Sequence, residues 1–125
     1  VNLLLDTHVF LWSLTGSSSL RKAARDTITG ADSVYISAAS IWEIAIKTRL
    51  GQMEGDAEQL ATAIDASGFI ELPVTAHHAA AVGKLLPHHT DPFDRLLIAQ
   101  SLAEPLHFLT ADRALAAYGG NVIVI

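Results

Sequence analysis

Five short apolar runs, at residues 1–5, 33–37, 69–72, 106–109 and 122–125, are separated by stretches of helical character. Strands that alternate with helices return to the same sheet by right-handed crossovers, which makes the sheet mostly parallel. The runs are continuously apolar rather than alternating, as expected where helices cover both faces. A chain of 125 residues suits one hydrophobic core, so a single α/β domain over residues 1–125 is expected.

Between the strands, helices are expected over 7–14, 20–29, 38–50, 56–67, 75–86, 92–103 and 112–117. Ser19 is placed to N-cap the second. Gly51 and Gly68 end the third and fourth, and Pro87 stops the fifth. Half the residues are hydrophobic and 17% are charged, which excludes intrinsic disorder. No apolar run approaches the ~18–20 residues of a membrane span. Asp6 breaks the first run after five residues, so a signal peptide is not expected there. The absence of cysteine excludes disulfides, thiolate catalysis and Cys-ligated zinc, and agrees with a reducing cytoplasm. A net charge of −5 argues against a broad basic face for nucleic acid. It leaves room for an enzyme that touches a polyanion through metal ions and a few arginines.

Ligands of open parallel sheets bind outside the carboxyl ends of the strands, and acids stand at those places. Asp6 ends the first strand, and Asp112 lies three residues beyond Leu109. Glu43 lies in the helix after the second strand, and Asp94 in the first turn of the helix opened by Pro92. Four converging carboxylates repel one another and lose hydration, so they need compensating cations. All-oxygen ligation selects hard ions such as Mg²⁺ or Mn²⁺.

Each acid also has a plain structural use. Asp6 and Asp112 suit helix starts, and Glu43 is spaced for an i,i+4 pair with Lys47. The apolar neighbours Ile41, Trp42, Ile44, Ala45 and Ile46 leave Glu43 little exposed face, which favours a functional role. In D-P-F-D, Asp91 is fully explained as N-cap, with Pro92 at N1 and Asp94 at N3. The adjacent pairs His77-His78 and His88-His89 lack the spacing of a helical metal site, so no histidine site is expected. His8 stands near the first acid. No P-loop, G-x-G-x-x-G or G-x-S-x-G occurs.

The segments LLLDTHVFLW (3–12), ISAASIWEIAIK (36–47), HHTDPFDRLLIAQ (88–100) and FLTADRAL (108–115) together resemble the PIN domain. More narrowly, they resemble the ribonuclease toxins of VapBC-type toxin–antitoxin pairs. The resemblance runs from Leu3 to the C-terminus, in the family's order and spacing. It implies a three-layer α/β/α fold. The family's acids fall on Asp6, Glu43, Asp94 and Asp112, and Thr110 matches the hydroxyl residue that supports the last of them.

The activity implied is that of a metal-dependent endoribonuclease using Mg²⁺ or Mn²⁺, and leaving a 5′-phosphate and a 3′-hydroxyl. Asp6 and Asp94 are expected as the principal direct ligands, with Glu43 and Asp112 completing the cluster directly or through metal-bound water. Arg95 and Arg113 each follow a site acid and are expected to hold flanking phosphates. Arg21, Lys22 and Arg25 form a basic run better read as a solvated helix face. The implied partners are RNA, a cognate antitoxin whose tail covers the acidic groove, and a second copy in a homodimer. The alternative is a non-catalytic PIN-like module that binds RNA or protein. A receiver domain is disfavoured because Thr7 stands where its second acid is needed and Ala111 where its lysine is.

Overall fold

A computed structural model describes all residues, Val1–Ile125. Five strands form one sheet: β1 (Asn2–Leu5), β2 (Ser33–Ser37), β3 (Ile70–Leu72), β4 (His107–Thr110) and β5 (Val122–Val124). Their order is β3-β2-β1-β4-β5 and every pairing is parallel. The helices are α1 (Thr7–Thr15), α2 (Lys22–Thr29), α3 (Ala38–Arg49), α4 (Ala57–Ala66), α5 (Ala76–Ala81) and α6 (Pro92–Ala103). No helix is long and apolar enough to cross a membrane.

The three layers follow from the two-residue period of the strands. Leu3 and Leu5 of β1, Val34 and Ile36 of β2, and Leu109 of β4 point to one face, where they pack with Val9, Phe10, Ala24, Ile44 and Ile64. Leu4 and Phe108 point to the other face and pack with Leu97, Ile98 and Leu115. Both faces are apolar because both are covered, which is why the strands read as unbroken apolar runs. The chain winds outward from β1 to β3, then returns to place β4 on the free edge of β1. That reversal makes a switch point where the carboxyl ends of β1 and β4 stand side by side, with Leu5 opposite Leu109.

Three local expectations are corrected. Helix α2 starts at Lys22 with Arg21 at the N-cap and no side-chain cap; the Ser19 N–H is instead taken by Ser17 Oγ at 3.2 Å. The helix expected over 75–86 is the six-residue α5 followed by a 3-10 turn at Val82–Lys84. The guanidinium of Arg95 binds the carbonyls of Val82, Leu85 and Leu86, giving partners to acceptors that the shortened helix leaves free. The segment after Asp112 is a 3-10 turn over Arg113–Tyr118, begun by Asp112 Oδ1 accepting the Ala114 N–H.

Candidate metal centre

The switch point holds Asp6, the residue after β1, with 6% of its surface exposed. It begins α1 by accepting the Val9 N–H on Oδ1 at 2.8 Å, so its capping role is real. Its other oxygen accepts the hydroxyl hydrogen of Thr110, from the end of neighbouring β4, at 2.5 Å. Burial pushes the Asp6 carboxyl above its ordinary pKa; the Thr110 and Val9 hydrogen bonds oppose this and the Glu43 charge adds to it. Thr110 thus supports the first acid directly, and its Oγ1 also accepts the Asp112 N–H at 3.1 Å.

Glu43 lies on α3 and is 3% exposed. One carboxylate oxygen lies 2.6 Å from the Thr7 hydroxyl, which is itself 2.9 Å from Ser40 Oγ. A hydroxyl has one hydrogen, so Thr7 donates to the carboxylate and accepts from Ser40. The other oxygen is 2.6 Å from Lys47 Nζ. The i,i+4 pair exists, but with Glu43 buried and the Lys47 side chain only 25% exposed it is no surface ornament. The hydrogen bond to Glu43 holds the lysine charged by raising its pKa, and the charges of Asp91 and Asp94 reinforce this. The ammonium also stands 5.9 Å from the centre of the Phe93 ring.

Asp94 enters from the first turn of α6, where Asp91 is the N-cap and accepts the Asp94 N–H at 2.9 Å. Its pKa is pushed up to about 6, chiefly by burial and then by the Asp91 charge. A hydrogen bond with His89 opposes the shift, while the charges of Asp6 and Glu43 add to it. Asp6, Glu43 and Asp94 therefore feel one another across a single site. Asp112 joins through His89, whose Nε2 lies 3.0 Å from Asp94 Oδ2 and 3.8 Å from Asp112 Oδ2.

The donor set fits a divalent cation. Its carboxylates are partly dehydrated and Asp6 and Asp94 are shifted toward the neutral form, a strain that a cation relieves. Ligand atoms of His89, Asp94 and Asp112 lie within 4.8 Å of one another, close enough to share one ion.

Two expectations change. His89, whose spacing is not that of a helical metal site, stands between two of the acids. The signal lay in its place, five residues before Asp94 and just outside a capped helix start. Arg95 is not free for phosphate: beyond the Val82, Leu85 and Leu86 carbonyls, it binds the His89 carbonyl at 3.3 Å and Tyr118 Oη at 2.9 Å. Arg113 is exposed and makes no ion pair or side-chain hydrogen bond within the chain. In the basic run, Lys22 pairs with Asp26 at 2.7 Å and Arg25 binds the carbonyls of Ser17 and Leu20, in keeping with a solvated helix face.

The fold is shared with solved toxin–antitoxin structures. VapBC2 from Rickettsia felis, bound to a promoter DNA fragment, aligns over 100% of this chain and 98% of that one, with a TM-score of 0.70 at 15% identity. A toxin-antitoxin complex from Klebsiella pneumoniae aligns over 98% and 96%, with a TM-score of 0.67 at 19% identity. FitAcB from Neisseria gonorrhoeae aligns over 90% and 88%, with a TM-score of 0.60 at 16% identity. No curated protein matches the chain by sequence. The PIN domain family matches residues 3–121, a span that takes in β4, all but the first residue of β1, and Asp6, Glu43, Asp94 and Asp112, and the chain belongs to that family.

Proposed function

We propose that this protein is a metal-dependent endoribonuclease and the toxin of a two-protein toxin–antitoxin pair, acting in the cytoplasm. The observation that carries the reading is the strain at the switch point, where burial and mutual repulsion raise the pKa of both Asp6 and Asp94. Shifted carboxyl groups gathered from separate segments at one sheet edge are characteristic of functional sites. Asp6 and Asp94 are the principal ligands, completed by Glu43 and Asp112, for Mg²⁺ or Mn²⁺. A bound divalent ion supplies Lewis-acid polarisation of the scissile phosphate and a water of lowered pKa.

The chain's own groups prepare that chemistry. Thr110 fixes one oxygen of Asp6 and opposes the burial shift of that acid, and Thr7 fixes one oxygen of Glu43. Lys47 keeps a positive charge beside Glu43 when no ion is present. Arg113, next to Asp112 and free of protein partners, is placed to hold a phosphate that flanks the scissile one.

An antitoxin partner is supported by the neighbouring structures, which are toxin–antitoxin complexes. Exposed large apolar side chains, Trp42 (57%) and Leu86 (64%) among them, support burial against an antitoxin or in a homodimer. The test is cleavage of defined RNAs by purified protein with Mg²⁺, with Mn²⁺ and with EDTA, beside the Asp6→Asn variant. Cleavage products with 5′-phosphates, lost in EDTA and in the variant, are expected. RNA left intact by folded protein under all metal conditions, or cut equally well by Asp6→Asn, refutes the reading.

A further inference from the structure

His89 belongs to no regular element, yet its backbone is held on both sides. Its N–H donates to Tyr118 Oη at 3.0 Å, and its carbonyl accepts from Arg95 Nη1 at 3.3 Å. The same guanidinium nitrogen donates to Tyr118 Oη at 2.9 Å, closing a clamp. The two clamping residues come from the elements that carry the nearest acids. Arg95 follows Asp94 on α6, and Tyr118 ends the 3-10 turn that Asp112 begins. Any shift of the loop relative to either acid therefore breaks the clamp.

The clamp aims the imidazole. Nε2 lies 3.0 Å from Asp94 Oδ2 and 3.8 Å from Asp112 Oδ2, two carboxylates from different parts of the sheet edge. Nδ1 has no protein partner, and the side chain is 23% exposed, so Nδ1 can carry the ring proton toward water. In the ion-free protein Nε2–H donates to Asp94; an ion bound between the carboxylates displaces that proton, the ring proton then sits on Nδ1, and Nε2 offers its lone pair to the ion.

We propose that His89 Nε2 is a direct ligand of a divalent ion shared with Asp94 and Asp112, making one position of the centre a mixed nitrogen–oxygen site. The inference rests on the metal-dependent reading above and narrows its metal. Imidazole suits first-row transition ions, whereas Mg²⁺ prefers oxygen ligands and retained water. The site then selects Mn²⁺ over Mg²⁺.

Mn²⁺ is its own spectroscopic probe. Electron spin-echo modulation of the Mn²⁺-loaded protein is expected to show ¹⁴N coupling from a bound imidazole. That coupling changes to a ¹⁵N pattern in wild-type protein grown on ¹⁵N-histidine, a measurement that needs no mutation. In His89→Gln, whose folding is checked by thermal melt, the coupling disappears. By calorimetric titration Mn²⁺ affinity falls by roughly tenfold or more while Mg²⁺ affinity changes much less. Mn²⁺ bound without histidine nitrogen coupling, coupling that persists in His89→Gln, or equal loss of affinity for both ions overturns the assignment and leaves the metal-dependent reading standing. A folded wild-type protein that binds no Mn²⁺ overturns both.

Discussion

Replacing Asp94 by Asn is expected to stabilise the metal-free protein at neutral pH while abolishing its response to metal. The Asp94 carboxyl is raised from 3.8 to about 6 in the fold. A folded-state pKa above the unfolded one means that the native state holds the proton more tightly. The stability contributed by this group is therefore complete below pH 3.8 and is lost as pH rises through about 6. Two pKa units correspond to about 3 kcal/mol. The side chain is 24% exposed, and the hydrogen bond with His89 is strongest to the charged form, so about 1–3 kcal/mol is the expected gain. Asn keeps the shape and never ionises, and it ends the repulsion with Asp91, Asp6 and Glu43. Urea denaturation of both proteins in EDTA, from pH 5 to 8, measures the difference directly. The advantage of Asp94→Asn should grow between pH 5 and 7 and then level off. Adding Mn²⁺ should stabilise the wild type by mass action and leave the variant where it was. An advantage that does not vary with pH, or a variant less stable than wild type at pH 7.5, refutes the claim that this carboxylate is held under electrostatic strain.

Lys47→Met leaves buried Glu43 without its ammonium. Breaking a fully buried pair costs ~3–5 kcal/mol, and with the lysine a quarter exposed about 1–3 kcal/mol is expected by denaturation in EDTA, in part restored by Mn²⁺. Because the folded-state pKa of Lys47 is raised, its stabilisation is complete below the ordinary lysine value and fades as pH climbs through the higher folded one; an alkaline stability titration should lose that component in the variant. Asp91→Ala removes the α6 N-cap and should lower stability by ~0.5–2 kcal/mol, while metal binding, followed by the Mn²⁺-induced rise in melting temperature, persists. Loss of the metal response there, with its retention in Asp94→Asn, would exchange the roles of the two acids. Thr110→Val removes the hydrogen bond that opposes the burial shift of Asp6, so Mn²⁺ affinity should fall and recover in part as pH is raised, as calorimetry at two pH values would show.

What was legible in the chain was what depends on near neighbours. The apolar runs became the five strands, the D-P-F-D segment became a Pro-started helix capped by Asp91, and a glycine stood just past α3 in a left-handed turn, Gly51 at φ 73°. The four candidate acids could be placed near one sheet edge because strand ends and helix starts are themselves local landmarks. Where local signals conflicted with distant ones they misled. The stretch after Thr75 has alanine-rich helical character, but its carbonyls are bound by a guanidinium ten or more residues away, and the helix stops early.

Sequence by itself determined the α/β class, the covered parallel sheet and which acids stand at its carboxyl edge, because period, caps and strand ends are written in residues a few places apart. Only the tertiary structure decided that Thr110 would grip Asp6 across 104 positions, that Arg95 would be spent on a loop rather than on phosphate, and that His89 would sit between Asp94 and Asp112. These outcomes depend on β4 returning to the free edge of β1, a pairing made by packing over the whole sheet. A side chain's burial and partners are set by that packing, and with them its charge state, so no local pattern could have carried them.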